Sequence, residues 1–234
     1  MKVLSAVLVA VLLVGCQGGK RTFVSSLPTK QDSISYMIGY NVQRNLGKDS
    51  IVVDYDAFVR GMNDASIDSS KRLLTMAKVD SLEIVLQADM RAKHMQAMHA
   101  EGEKNLNVAN AFLAQNAKIE GVHGMSSGLQ FKVNADGAGA TPGATSEVTF
   151  QFRGTLLDGT EFDNTYKRGH PITVKMNEDG VPDGLKEGLK LMKKGSKWTL
   201  WIPPTIGFGE MGAPRAGIPP NSVVVMDVEI MSIK

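Results

Sequence analysis

With 234 residues the chain is long enough for two domains that each bury a core. Its 26 Lys and Arg nearly cancel 24 Asp and Glu, so no large field draws it to nucleic acid or to an acidic membrane surface. The sole cysteine, Cys16, excludes an internal disulfide, and nothing in the sequence places a His to activate its thiol.

Residues 1–15 read as an export signal: Lys2 supplies the basic start, and Val3 to Val14 form a mostly apolar run of twelve residues, too short to span a bilayer. The run ends in Leu13-Val14-Gly15-Cys16, which resembles the bacterial lipobox. That resemblance makes Cys16 a lipidation site, cleaved before and acylated; the plainer alternative is an ordinary secretory signal followed by a chance cysteine. Residues 16–29 are small, polar and unpatterned, a tether.

Between Pro28 and Pro142 there is no proline, and good helix formers dominate. Residues 30–70 read as a helical module. A first helix begins at Asp32, with apolar residues at 34, 37, 38 and 42; a second covers Asp54 to Ala65, with Asp54 or Asp56 as its N-cap. Residues 71–120 read as a long connecting helix. From Ser69 to Ala117 only Gly102 interrupts, and an unbroken helix there is about 70 Å long. Apolar residues recur at 79, 82, 86 and 90 and at 106, 109, 113 and 117, while 87–105 is largely polar, the pattern of a spacer between two bodies. The short helices before it bury little alone, which points to pairing with a second copy. His94 and His99 lie five apart, on different helix faces, and read as solvated residues rather than metal ligands. Met90, Met95 and Met98 read as helix filling, with a soft stripe for clients or a partner helix as the alternative.

The pattern changes in residues 121–234. Runs at 128–133, 148–153, 172–176, 197–202 and 223–230 are β-branched and aromatic, several alternating with period two, and are separated by Gly and Pro turns. One amphipathic helix, Asp183 to Met192, presents Leu185, Leu189 and Met192. About five strands and one helix imply an antiparallel sheet folded on that helix, an α+β domain. Gly207-Phe208-Gly209-Glu210-Met211-Gly212 matches a G-x-G-x-x-G phosphate loop, but Pro214, Pro219 and Pro220 leave no room for the helix that loop requires. The loop from Ala135 to Ala144 carries no chemistry.

The ordered set VTFQFRGTLLDGTEFDNT, DGLKEGLKLMKKGSKWTLWIPP, GFGEMG and IPPNSVVVMDVEI, within residues 126–234, resembles the FKBP-type peptidyl-prolyl isomerases. Upstream, SISYMIGYNVQRNL, VDYDAFVRGMNDA and ANAFLAQNAKIEGV resemble the N-terminal dimerisation module of the macrophage infectivity potentiator subgroup. The resemblance implies an α+β chain: a helical dimerisation module and long linker helix, then an antiparallel sheet wrapped on a short helix. It implies a homodimer that accelerates rotation about X-Pro bonds in unfolded or partly folded exported proteins.

Such a site needs no cofactor and no metal. The rotation barrier, about 18–20 kcal/mol, comes from amide resonance, and no bond is broken. A pocket that binds the twisted amide better than either planar form suffices, and an apolar cavity favours that less dipolar state. Carried over position by position, the resemblance puts Phe152, Phe162, Asp163, Val181, Leu185 and Phe208 in the catalytic pocket, with Ile172, Pro182, Ile218 and Met226 also lining it for substrate. Phe162 and Leu185 are wall and floor, and Asp163 is the polar anchor. Outside that context, Phe162 and Asp163 would read as a strand-end aromatic and a surface acid.

Several positions depart from the family pattern. Many active members carry Tyr at 152 and 208, Trp at 185 and Phe at 226, and Ile stands where this chain has Pro182, which lacks an N–H. Each missing donor costs about 0.5–1.5 kcal/mol of binding, so weak binding of immunosuppressant macrolides and reduced turnover are expected. The rival reading is a periplasmic chaperone or binding module on the same fold with weak or no isomerase activity; a third is an inert lipoprotein used for adhesion. Gln17, which is not acidic, favours the outer membrane over the inner one, and the anchored chain is expected on its periplasmic face.

Overall fold

The computed structural model describes residues 24–48, 51–67 and 69–234, so the export signal and Cys16 lie outside the described residues. The chain divides into two compact units, one up to Met76 and one from Ala77 onward.

In the first unit, α1 spans Lys30–Lys48 and α2 spans Tyr55–Ala65. Helix α1 starts just before Asp32 because Thr29 caps it. The Thr29 hydroxyl accepts from Asp32 N at 3.1 Å, and the Asp32 carboxylate accepts from Thr29 N at 3.0 Å, a reciprocal capping pair. Of the two candidate caps for α2, Asp54 is the one used: its Oδ1 accepts from Ala57 N at 2.8 Å. At the other end Asp64 is buried and accepts from Leu73 N at 2.9 Å and Arg60 Nε at 2.7 Å. The Leu73 amide holds the Asp64 pKa below its usual value, with Arg60 adding to it and burial opposing.

Helix α3 spans Met76–Asn116, all but its first residue in the second unit. It starts later than Ser69 because Ser69–Lys71 forms a separate 3-10 turn. Gly102 does not interrupt it. Gly102, Ala109 and Asn116 are buried on one face, so the C-terminal part of α3 packs on its own domain. Sequence periodicity marks Ala109 but not Gly102 or Asn116, which have no apolar side chain. Asn116 Nδ2 donates to Gln130 Oε1 at 2.8 Å, and Gln130 Nε2 donates to Leu113 O at 2.9 Å.

A seven-stranded antiparallel sheet follows: β1 Val122–Gly124, β2 Gln130–Ala135, β3 Glu147–Leu156, β4 Glu161–Asn164, β5 Ile172–Lys175, β6 Lys197–Ile202 and β7 Val224–Ile233. The order is β1-β2-β6-β7-β3-β4, with β5 paired to the first half of β3. Val148, Phe150 and Phe152 alternate inward along β3, as Trp198, Leu200 and Ile202 do along β6. A short helix α4, Thr165–Arg168, follows β4, and α5, Asp183–Leu191, lies on the inner face of the sheet. Helix α5 approaches β6 closely because Gly184 and Gly188 face it: a Cβ there would sit 2.6 Å from Ile202 and 2.7 Å from Leu200. Leu185 and Leu189 complete a core with Phe150, Leu200, Val228 and Ile230.

Candidate functional site

The inner face of the sheet does not close completely over α5. It leaves an apolar cavity of about 250 Å³. Every pocket residue singled out from the sequence lines it: Phe152, Phe162, Asp163, Ile172, Val181, Pro182, Leu185, Phe208, Ile218 and Met226. They come from six elements. Phe152 and Met226 stand on the central strands β3 and β7, Phe162 and Asp163 on β4, Ile172 on β5, Val181, Pro182 and Leu185 around the start of α5, and Phe208 and Ile218 on the loop between β6 and β7. Phe152, Leu185, Ile218 and Met226 are buried and form the bottom; the others are half-buried around the opening.

Phe162 and Phe208 meet edge to face, ring centroids 6.4 Å apart. The Phe162 ring lies over Gly154 of β3, where a Cβ would collide with it, so this glycine clears the space the ring needs. Buried Thr165 fixes the turn after β4. Its hydroxyl accepts from Phe152 N at 2.8 Å and donates to Phe152 O at 3.1 Å.

The mouth of the cavity carries one carboxylate, Asp163. Its Oδ1 accepts from Asn164 N at 2.7 Å and its Oδ2 lies 3.4 Å from Arg168 Nη2. Glu161, two residues earlier, takes the other cations: Lys167 at 2.7 Å and Arg153 at 3.0 Å, with Asn164 Nδ2 at 3.0 Å. Lys167 above all, then Asn164 and Arg153, holds the Glu161 carboxyl down at about 2. Asn164 also caps α4, its Oδ1 accepting from Tyr166 N at 3.0 Å and Lys167 N at 3.2 Å.

Pro182 is the N-cap of α5 and brings no donor to the pocket; its carbonyl is taken up by Leu185 N at 3.0 Å and Lys186 N at 3.1 Å. An open hollow of about 400 Å³ shares Gly180, Val181, Pro182 and Phe208 with the apolar cavity and adds Asp183, Thr205, Ile206 and Gly207. Although larger, it has a more polar lining and is more open than the apolar cavity.

Val174, Gly180 and Ala216 also line the cavity and were not anticipated. Val174 was findable, since it lies two residues beyond Ile172 and so on the same strand face. Gly180 and Ala216 are placed by loop geometry, and neither carries a sequence signal.

The comparisons with known proteins agree along most of the chain. Residues 139–231 match the FKBP-type peptidyl-prolyl cis-trans isomerase family, and residues 31–133 match the domain amino terminal to it. The outer membrane protein MIP of Legionella longbeachae is 33% identical over 215 residues, covering 91% of this chain and 90% of that protein. The FKBP-type 22 kDa peptidyl-prolyl cis-trans isomerase of Escherichia coli is 39% identical over 215 residues, covering 88% and 96%. Among solved structures, that of FkpA from Escherichia coli superposes with a TM-score of 0.71 at 32% identity, covering 89% of this chain and 99% of that one. The chain therefore belongs to the FKBP-type peptidyl-prolyl cis-trans isomerase family, of which it carries both the isomerase domain and the segment amino terminal to it.

Proposed function

We propose that this chain accelerates X-Pro bond rotation by holding the proline ring against Leu185 and Phe162 while the amide twists. The observation that carries this reading is the convergence of Phe152, Phe162, Leu185, Phe208, Ile218 and Met226 on one apolar cavity whose lining has a single carboxylate, Asp163, at its mouth. An apolar wall lowers the energy of the twisted amide relative to the planar forms. Asp163, held by Arg168 and the Asn164 amide, is fixed beside the proline and polarises the strand of substrate that turns. Catalysis here needs positioning only, with no proton or electron transferred.

The substrates are proline-containing segments of exported proteins. The chain works as a homodimer through its N-terminal helices, tethered to the cell envelope by acylated Cys16, on the periplasmic face of the outer membrane. What supports this is the apolar surface of α1, the lipobox-like Leu13-Val14-Gly15-Cys16 and the similarity to a relative named as an outer membrane protein.

A protease-coupled or NMR exchange assay on an Ala-Leu-Pro peptide tests the activity. Acceleration at micromolar protein is expected, lost in Phe162→Ala and Asp163→Ala; no acceleration by the parent chain would sink the reading. One observation favours a second use. Phe152 and Phe208 have no hydroxyl and Pro182 no N–H, so the pocket offers few hydrogen bonds, as a weakly catalytic client-binding module would. Suppression of client aggregation that survives in Phe162→Ala would show holding to be separate from turnover.

A further inference from the structure

The outer wall of the cavity is the long connection between β6 and β7, which delivers Phe208, Ala216 and Ile218. This connection is closed on itself. Ala213 and Ile218 exchange backbone bonds of 2.8 and 3.1 Å, and Asn221 N donates to Gly209 O at 2.9 Å. Gly212, with φ of 62°, lies so close to Ile218 and Pro219 that any Cβ would collide with their carbonyls. The segment from Phe208 to Asn221 is thus one packed piece, and whatever holds Pro220 and Asn221 also holds the pocket wall.

Helix α3 holds them. Asn105 Nδ2 donates to Pro220 O at 2.8 Å, and Asn221 Nδ2 donates to Gly102 O at 3.2 Å, so two side-chain-to-backbone bonds cross between helix and loop in opposite directions. The helix reaches this close because Gly102 has no side chain: a Cβ there would lie 3.3 Å from Pro220 Cβ. Asn221 has φ of 50°, a left-handed conformation that Asn tolerates and most residues do not, and it turns the chain between these contacts.

We infer that Asn105 is a positioning residue for the prolyl pocket, acting through Pro220 on the loop that carries Phe208 and Ile218. The inference rests on the isomerase reading of that pocket. Asn105 touches no part of the cavity and lies in the segment that matches the amino-terminal domain, not the isomerase domain. The site is therefore braced by a residue outside the catalytic segment.

The test uses the full chain with Asn105→Ala and Asn105→Asp, set against Ala109→Gly. The control weakens the same helix face while leaving both helix-to-loop hydrogen bonds in place. Losing one part-buried hydrogen bond predicts a rise in KM for a prolyl peptide of about threefold to tenfold, with kcat changed less. Hydrogen–deuterium exchange should quicken over residues 207–221 in both Asn105 variants. Ala109→Gly should lower thermal stability to a similar degree and leave KM and loop exchange unchanged. Unaltered loop exchange in both Asn105 variants overturns the inference, as does a KM rise in Ala109→Gly matching theirs. A parent chain without turnover overturns the isomerase reading, and loop exchange then still decides whether Asn105 braces the loop.

Discussion

At the scale of single residues, the site depends on groups that make room as much as on groups that touch substrate. Gly154 sits opposite Asp163 in the β3–β4 register, and its missing side chain is what lets the Phe162 ring stand over β3. Gly154→Ala is therefore expected to lose about 1–3 kcal/mol of stability through overpacking and to lower kcat/KM by displacing the ring. Denaturant midpoints measured beside prolyl-peptide turnover check both effects; a destabilised variant with parental kcat/KM would show that the ring's position is not needed. Glu161 carries a second prediction. Its folded-state value, about 2, is depressed from 4.5, so the stabilisation it brings is complete above about 4.5 and is lost as pH falls toward 2. Thermal unfolding followed across that window should show a shallower loss in Glu161→Gln than in the parent. Asp64 and Asp158, whose values are also depressed, titrate in both proteins and cancel in the comparison.

At the scale of elements, what was legible in the sequence is what is built on alternation. The β3 and β6 runs, VTFQFR and KWTLWI, read as strands because their inward residues recur with period two, and α5 read as a helix through Leu185 and Leu189. β1 is only Val122–Gly124, and β4 is Glu-Phe-Asp-Asn, with polar residues on both sides of one aromatic; their strand state comes from pairing with β2 and β3, which no local pattern encodes. The pocket positions followed from the order of family motifs, whereas Gly180 and Ala216 did not, because loop backbone brings them to the cavity. The face of α3 that meets the isomerase domain was legible only in part: Ala109 belongs to the apolar series at 106, 109, 113 and 117, while Gly102 and Asn116 give no hydrophobic signal. Close approach through glycine recurs in α5, where Gly188 faces Leu200. Gly188→Ala is expected to cost about 1–3 kcal/mol although alanine is the better helix former, because the methyl group enters a filled space. A midpoint at or above the parental one would mean that β6 yields to the extra carbon.

At the scale of the whole molecule, the two units differ in how much of themselves they bury. The second has a continuous core, and α1 in the first buries no residue at all. Met37, Ile38 and Tyr40 of α1 are 51%, 54% and 58% exposed, and Ile34, Tyr36 and Val42 add to the same helix. A unit of this size cannot support itself on so little burial, and an apolar surface of this extent marks an interaction site. A second copy is the occupant that is always present at the same concentration as the surface it covers, and a two-fold pairing of identical helices satisfies both copies at once. Light scattering of the chain from Gln17 onward is expected to give twice the mass of one chain, and its thermal midpoint should rise with protein concentration. Met37→Glu with Ile38→Glu, which places charge in that surface, should give single chains while turnover of a short prolyl peptide stays at the parental value, since the pocket lies wholly in the second unit. A parent chain that scatters as a monomer at every concentration would leave the apolar face of α1 to clients instead.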